Sequence, residues 1–471
     1  MARASLKIVK DSGEAATEQT LYEVRRKIYP RAVSGWFAAW RWALVWATQF
    51  VFYGGPWLTW NERQAVLFDI AHRKFYIFGL VFWPQDIIYL AILLIISALA
   101  LFLFTAMAGR LWCGYACPQT VYTEIFLWVE RLIEGDRVRR MKLDRDALTP
   151  RKFARKAAKH GVWIAIALWT GFTFVGYFTP VRELWGEAVN LSTGPWETFW
   201  CLFYGFATYG NAGWMREQVC IYMCPYARFQ SAMFDEDTLI ITYDRERGEP
   251  RGSRARRADP AALGLGHCVD CDICVQVCPT GIDIRDGLQY QCISCAACID
   301  GCNQVMDRLG YPRGLIRYST QHAVTRRLTR AQARAFRPRV LVYSAILCGV
   351  IIAAAGGLWL RVPLKVDVIR DRAAIAREVE GGQIENVYRL QIMNTAETAR
   401  IFEIRAEGLP TLQLASEPRV ELGATASRLV PVRLRLQPGA APEGTHRIEF
   451  SVAAVGLEGV AVREKSVFIV R

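Results

Sequence analysis

Residues 268–279 read C-V-D-C-D-I-C-V-Q-V-C-P, which places Cys268, Cys271, Cys274 and Cys278 ahead of Pro279. A second set, Cys292, Cys295, Cys298 and Cys302, repeats the same spacing. Three thiolates two residues apart can wrap one corner of a 4Fe–4S cubane, each on its own iron. The fourth cysteine starts a new backbone direction and reaches the other cubane. This pattern assigns Cys268, Cys271, Cys274 and Cys302 to one cluster, and Cys292, Cys295, Cys298 and Cys278 to the other. Asn303 stands where a proline is usual, so the turn after Cys302 is expected to be less constrained. The competing reading is a pair of four-cysteine zinc sites, but zinc motifs seldom repeat this spacing twice within 35 residues. His267 reads as a flanking residue.

A shorter repeat lies upstream. Residues 112–118 read W-C-G-Y-A-C-P and residues 219–225 read V-C-I-Y-M-C-P. On a helix, cysteines at i and i+4 share one face, and the proline would end or kink that helix. Two such elements could bring Cys113, Cys117, Cys220 and Cys224 together, with Met223 as a further soft donor. Four thiolates suit Cu(I), zinc or an iron–sulfur centre. Neighbouring arginines and lysines are expected to lower their pKa values. Small buried residues at helix ends are the plainer reading; the repetition beside a cubane motif favours the chemical one.

The rest of the chain fits a membrane protein. Of its 471 residues 52% are apolar, too many for an ordinary soluble protein, while the net charge of +14 is too high for a purely embedded one. Five segments could each cross a bilayer: 35–53, 87–108, 161–179, 198–214 and 340–360, the fourth being short and Gly-rich. Phe75–Trp83 is too short and is expected at the interface; Gln85 and Asp86 read as a helix start. Lys/Arg counts in the successive intervening segments are seven, three, twelve, one and seventeen. This alternation puts the N-terminus and the cysteine run in the cytoplasm and the C-terminal region outside. No signal peptide is visible. Trp36, Trp40, Trp42, Trp57 and Trp60 read as interfacial belt residues, and Arg245–Arg257 as a basic linker near anionic lipid. Residues 365–471 carry 15 basic and 14 acidic residues, so nothing there calls for nucleic acid. All 14 cysteines precede Leu360. Twelve lie on the reducing side, which points to thiolate-bound metal and away from disulfides.

Beyond Lys365 the texture changes to short β-branched runs separated by Gly and Pro, as at Val387–Met393, Ile401–Ala406, Arg428–Leu436, Arg447–Val455 and Lys465–Val470. They suggest an immunoglobulin-like sandwich without a catalytic constellation. The expected fold is an α-helical membrane protein of about five transmembrane helices, with an inserted bacterial 2×(4Fe–4S) ferredoxin-like domain and a C-terminal all-β immunoglobulin-like sandwich. Its expected segments are 1–34 cytoplasmic, 35–225 four-helix transmembrane region, 226–338 ferredoxin-like, 339–361 fifth transmembrane helix and 362–471 periplasmic.

With these residues in view, the sequence resembles the cytochrome c oxidase accessory proteins CcoG, FixG and RdxA. The stretches that carry the likeness are 29–31, 56–61, 63–69, 82–86, 112–120, 170–180 and the whole cysteine region. The cysteine elements also occur in a wider group of membrane polyferredoxins, from which the outward β-domain sets this chain apart. The resemblance implies a bacterial inner-membrane protein that reduces Cu(II) to Cu(I) for assembly of a cbb3-type oxidase. Two 4Fe–4S clusters would be cofactors and copper a substrate or transient ligand at Cys113, Cys117, Cys220 and Cys224. Implied partners are copper chaperones or a transporter and oxidase assembly factors; a homodimer is left open. Two alternatives stay open: an electron-transfer subunit serving a quinone or partner protein, and a non-enzymatic assembly scaffold.

Overall fold

The computed structural model describes residues 27–255, 258–325, 337–370 and 376–470. Most of the N-terminal segment and the last two residues of the basic stretch Arg245–Arg257 lie outside these. The chain groups into two compact units, one of residues 1–48, 104–167 and 206–335, the other of residues 49–103, 168–205 and 336–471.

The second unit contains the C-terminal β-sandwich. One sheet runs Gln413–Leu414, Ser427–Leu436, Gln383–Asn394, Leu364–Arg370, with Arg377–Val379 also on the long central strand; the other runs Arg419–Leu422, Arg400–Glu407, Gly444–Ala454, Ala461–Val470. Every pairing is antiparallel, with Val387 opposite Arg433 and Ile404 opposite Val452. Period-2 alternation decides which side chains meet inside. Tyr388, Leu390 and Ile392 on one sheet, and Phe402, Ile404, Phe450 and Phe468 on the other, are buried in one core. Truncating one of the phenylalanines would cost about 3–5 kcal/mol. Glu385, buried on the central strand, is held between Arg377 and Arg435, whose Nε donates at 2.7 Å. All five expected strand segments are present, each overlapping an observed strand.

The stretch expected at a membrane interface, Phe75–Trp83, supplies two strands of a small antiparallel sheet: Val66–Asp69, Lys74–Ile77 and Leu80–Phe82. Val81 and Trp83 pack with Met393 of the sandwich, while Phe78 and Leu80 are exposed. Asp86 does close a helix start, accepting from Trp83 N at 3.0 Å. It is also buried, and it pairs with Arg361 at 2.6 Å and with Lys365. Gln85 donates to Asp367 at 2.6 Å.

Among the described residues two helices are long and apolar enough to cross a membrane, Pro84–Ala108 and Pro338–Trp359. The other three expected spans are helical as Trp36–Gly54, Pro150–Val175 and Pro195–Thr208. The first carries Arg41 and the second is heavily charged over its first turns. The last stops after 14 residues, where the backbone passes into a π-helical segment, Tyr209–Met215.

Candidate iron–sulfur and thiol site

Both cysteine runs of the first unit use one backbone solution. In each, the second and fourth residues after the first cysteine are left-handed: Asp270 (φ 53°) and Asp272 (52°) in one, Ser294 (54°) and Ala296 (59°) in the other. None is glycine, so each carries a steric cost that the surrounding fold must hold in place. Asp272 and Ala296 are the N-caps of helices Ile273–Gln276 and Ala297–Leu309. The alternation curls each loop so that backbone N–H groups turn inward, a concavity suited to anionic sulfur. The N–H groups of Ser294 and Ala297 donate to the sulfurs of Cys292 and Cys295, and that of Ile316 to Cys302.

The fold sorts the eight sulfurs into two neighbourhoods. Cys302 interacts with Cys268 and Cys271, and Cys274 with Cys302 and Cys271. Cys278 interacts with Cys292, Cys295 and Cys298; these four line one cavity together with Ile282, Ile284, Ile293 and Cys274 of the other set, which also interacts with Cys298. Cys302 and Cys278 thus each stand beside members of the set that the spacing expects for them, and the two sets adjoin at Cys274 and Cys298. Every cysteine is free of disulfides. Burial pushes the thiols of Cys274, Cys292 and Cys302 up to about 12. Such thiols stay protonated unless a metal displaces the proton, as coordination does outright. A thiolate-bound cubane therefore fits this donor set. Asn303 does not loosen a turn, because there is none: helix Ala297–Leu309 runs on past Cys302, and Asn303 Oδ1 accepts from Gly314 N at 3.0 Å. Proline there would sit inside a helix.

The two C-x3-C-P elements also come together. Cys113 lies in the short helix Leu111–Tyr115 and Cys220 in the π-helical turn Val219–Met223. Cys117 and Cys224 are N-caps of the next helices, Pro118–Glu134 and Pro225–Met233. The expectation of two sulfurs on one helix face is corrected: each proline starts a helix, as suits its fixed φ and missing N–H. The second cysteine of each pair thus sits at a helix N-terminus, where the dipole favours negative charge. Cys117 takes backbone N–H donors from Gln119 and Thr120, and Cys113 Sγ donates to Gln230 Oε1 at 3.3 Å. Cys113, Cys117 and Cys224 all interact with Cys220. The expected lowering of the thiol pKa values is overturned. Burial pushes Cys113 up to about 11 and Cys220 up to about 12, against which Arg110 acts weakly. Met223 is exposed. Among the described residues, no three Cys, His, Asp or Glu side chains stand close enough to hold a single metal ion.

Three residues that the spacing did not reveal hold this arrangement. Arg285, itself buried, pairs with Asp270 at 2.7 Å and with Asp272 and Asp283 at 2.6 Å, clamping the first loop. Arg41 donates to Cys295 O at 3.2 Å. Asp300 accepts from Ala38 N at 2.8 Å, binding the second loop's helix to the start of helix Trp36–Gly54. A pair of four-residue strands, Ile240–Tyr243 and Ile316–Ser319, closes the domain behind the cysteines.

Comparison with known proteins agrees with this geometry. Residues 215–321 match a 4Fe–4S dicluster domain, residues 90–136 a 4Fe–4S binding domain, and residues 354–471 the IG-like fold at the C-terminus of FixG, described as a putative oxidoreductase. The nitrogen fixation protein FixG of Rhizobium meliloti is 39% identical over 454 residues, covering 88% of this chain and 87% of its own. Protein RdxA of Cereibacter sphaeroides is 40% identical over 440 residues, covering 90% and 92%. The chain belongs to the FixG/RdxA family. A solved FixG-related protein from Vibrio parahaemolyticus covers 23% of this chain and 95% of its own at 20% identity, with a TM-score of 0.21. Family membership decides between zinc and iron for the ferredoxin run: this is an iron–sulfur redox protein. The match over residues 90–136 also takes in Cys113 and Cys117, so the first C-x3-C-P element lies within sequence of an iron–sulfur binding type.

Proposed function

We propose that this chain is a membrane-bound iron–sulfur oxidoreductase that reduces Cu(II) to Cu(I) for copper delivery during assembly of a cbb3-type cytochrome c oxidase. The observation that carries the reading is the convergence of Cys113, Cys117, Cys220 and Cys224 into one half-buried thiol group. Soft thiolates prefer Cu(I) to Cu(II), so copper held there is biased toward the reduced product. Bound in their cysteine sets, cubanes would supply one-electron transfer at low potential, matched to a one-electron acceptor. The chain's own residues bury the sulfurs, fix their grouping and place helix N-termini behind Cys117 and Cys224. In this reading five helices cross the bacterial inner membrane, the cysteines face the cytoplasm and the sandwich faces the periplasm. There the sandwich docks copper chaperones, a transporter or assembly factors. The test is anaerobic stopped-flow: the reduced protein is mixed with Cu(II), and cluster absorbance should recover as Cu(I) forms. Clusters that stay reduced in excess Cu(II) would remove the copper reading.

A second reading is favoured by the iron–sulfur match over Cys113 and Cys117. In it the four thiols hold a third iron–sulfur centre, and the acceptor is a quinone or a partner protein. Iron analysis separates the two: about eight irons per chain supports copper at the thiols, and a clear excess supports a further centre.

A further inference from the structure

The two cysteine loops differ in what stands behind them. Cys271 of the first set is exposed, and that loop leans on Arg285. The second loop lies against both C-x3-C-P elements. At Gly114 a Cβ would stand 2.7 Å from Ile293 O, 2.8 Å from Cys295 Cα and 2.9 Å from Cys295 N, all backbone atoms that cannot turn aside. Cys113 shares one apolar cluster with Ile293, Cys295 and Cys298. From the other element, Ile221 O accepts from Tyr290 OH at 2.7 Å, two residues ahead of Cys292.

Arg110 joins all three pieces and is only 4% exposed. Its Nη1 donates to Tyr290 O and, at 3.4 Å, to Cys292 O, while Nη2 donates to Ala227 O just beyond Cys224. These acceptors are all carbonyl oxygens, and Nε has no partner among the described residues. A buried guanidinium calls for a nearby anion. The groups placed to supply it are the sulfurs of Cys113 and Cys220 on one side and Cys292 on the other.

We infer that Arg110 and Gly114 couple the four-thiol site to the Cys278, Cys292, Cys295 and Cys298 set alone, leaving the Cys268 set as the side that receives electrons from a donor through the exposed Cys271 edge. The inference rests on the thiols being redox-active. The residues of the second set would hold a cubane that supplies one electron to reduce Cu(II) to Cu(I), and Cys113 and Cys220 would release their thiol protons to solvent on taking the copper. Arg110 is a positioning residue, and Gly114 sets the gap.

The test uses the purified full-length protein in an EPR-monitored redox titration, with Cys292→Ser identifying the second-set signal. Arg110→Met removes a positive charge beside Cys292, so the second-set potential should fall while the first-set potential holds. Arg110→Lys should restore most of the shift. Gly114→Val should slow Cu(II)-dependent reoxidation by about 10- to 100-fold at full iron content, as small misplacements do at reacting centres. A shift of both signals, of the first set alone, or of neither in Arg110→Met overturns the inference, as does normal reoxidation in an iron-replete Gly114→Val. If Gly114→Val loses iron, the Arg110 pair decides. The potentials are read without copper. A wild-type protein that Cu(II) fails to reoxidise would therefore remove the copper reading while leaving this coupling to be judged on the Arg110 shift.

Discussion

The two cysteine loops share a backbone and differ in almost everything around it. Asp270 and Asp272 hold the left-handed positions of the first loop and are pinned from outside by Arg285. The second loop places Ser294 and Ala296 at the matching positions, both buried, and is pinned by packing, by Arg41 and by Arg110. One geometric solution is stabilised by ion pairs at a half-open edge and, in its copy, by close contact in an interior. A repeated motif therefore fixes what the sulfurs can hold, while the neighbours fix what each centre is for.

The largest test of this contrast exchanges ligands between the sets. Cys278→Ala should remove the cluster of Cys292, Cys295 and Cys298, and Cys302→Ala the cluster of Cys268, Cys271 and Cys274. Each should drop iron from about eight to about four per chain. If Cys278→Ala spares the downstream cluster, the crossed grouping is wrong. Next in size, Cys113→Ala with Cys117→Ala, or Cys220→Ala with Cys224→Ala, should depress Cu(II) reduction by more than the roughly 10- to 100-fold that outer-shell changes cost. The ferredoxin EPR signals should persist. Full copper reduction in both double variants would take these thiols out of the reaction.

Arg285→Met should loosen only the first loop. Asp270 and Asp272 are about half exposed (side chains 47% and 58%), so the cost should be roughly 1–3 kcal/mol, less than for a fully buried pair. Thermal loss of the first-set signal ahead of the second measures it. Acid should separate the loops in the same direction. Burial pushes the Asp283 carboxyl up, but its hydrogen bonds and charge pairing with Arg285 hold it below the usual range. A carboxyl depressed in the folded state stabilises fully above its unfolded value of about 3.9 and loses that contribution as pH falls below it. The first-set signal should therefore fade first on acidification below about pH 4, and Arg285→Met should abolish the difference. Simultaneous loss in the unaltered protein would contradict this. The smallest effect is expected at Ala296→Gly. There, relief of a left-handed residue and the added freedom of the unfolded chain nearly cancel, to within about 1 kcal/mol. Asp272→Gly should destabilise, because it also removes an Arg285 partner; denaturation midpoints compare the two.

Cysteine spacing and β-alternation were legible because each is a local rule. Thiolate grouping follows from a twelve-residue pattern, and the sandwich strands declare themselves two residues at a time. What could not be read depended on remote partners. Ile240–Tyr243 pairs with Ile316–Ser319 across more than seventy residues, and four residues give too short a pattern to stand out. Arg285, Arg41, Arg110 and Asp300 look like ordinary surface charges until the fold buries them. That Phe75–Trp83 forms strands packed on Met393 was hidden because Met393 lies some three hundred residues away. The prolines after Cys117 and Cys224 were read as helix ends when they open helices; a proline in a sequence marks a boundary without saying on which side the helix lies. The thiol pKa values were misjudged because counting nearby arginines leaves out burial, the larger effect here.

The buried guanidinium of Arg110 has one more consequence, for the life of the newly made chain. Before iron arrives, this cation lies in the interior facing carbonyl oxygens and the rings of Tyr290 and Phe234, with no carboxylate among its hydrogen-bond partners in the described residues. A ligand that binds the native state alone shifts folding toward it by mass action, and for metal centres built from unformed sites the binding free energy is folding free energy. Iron loading here also neutralises a charge that would otherwise favour opening. Cluster loading and folding are therefore one equilibrium in this domain, and whatever loosens the hold on iron also loosens the fold.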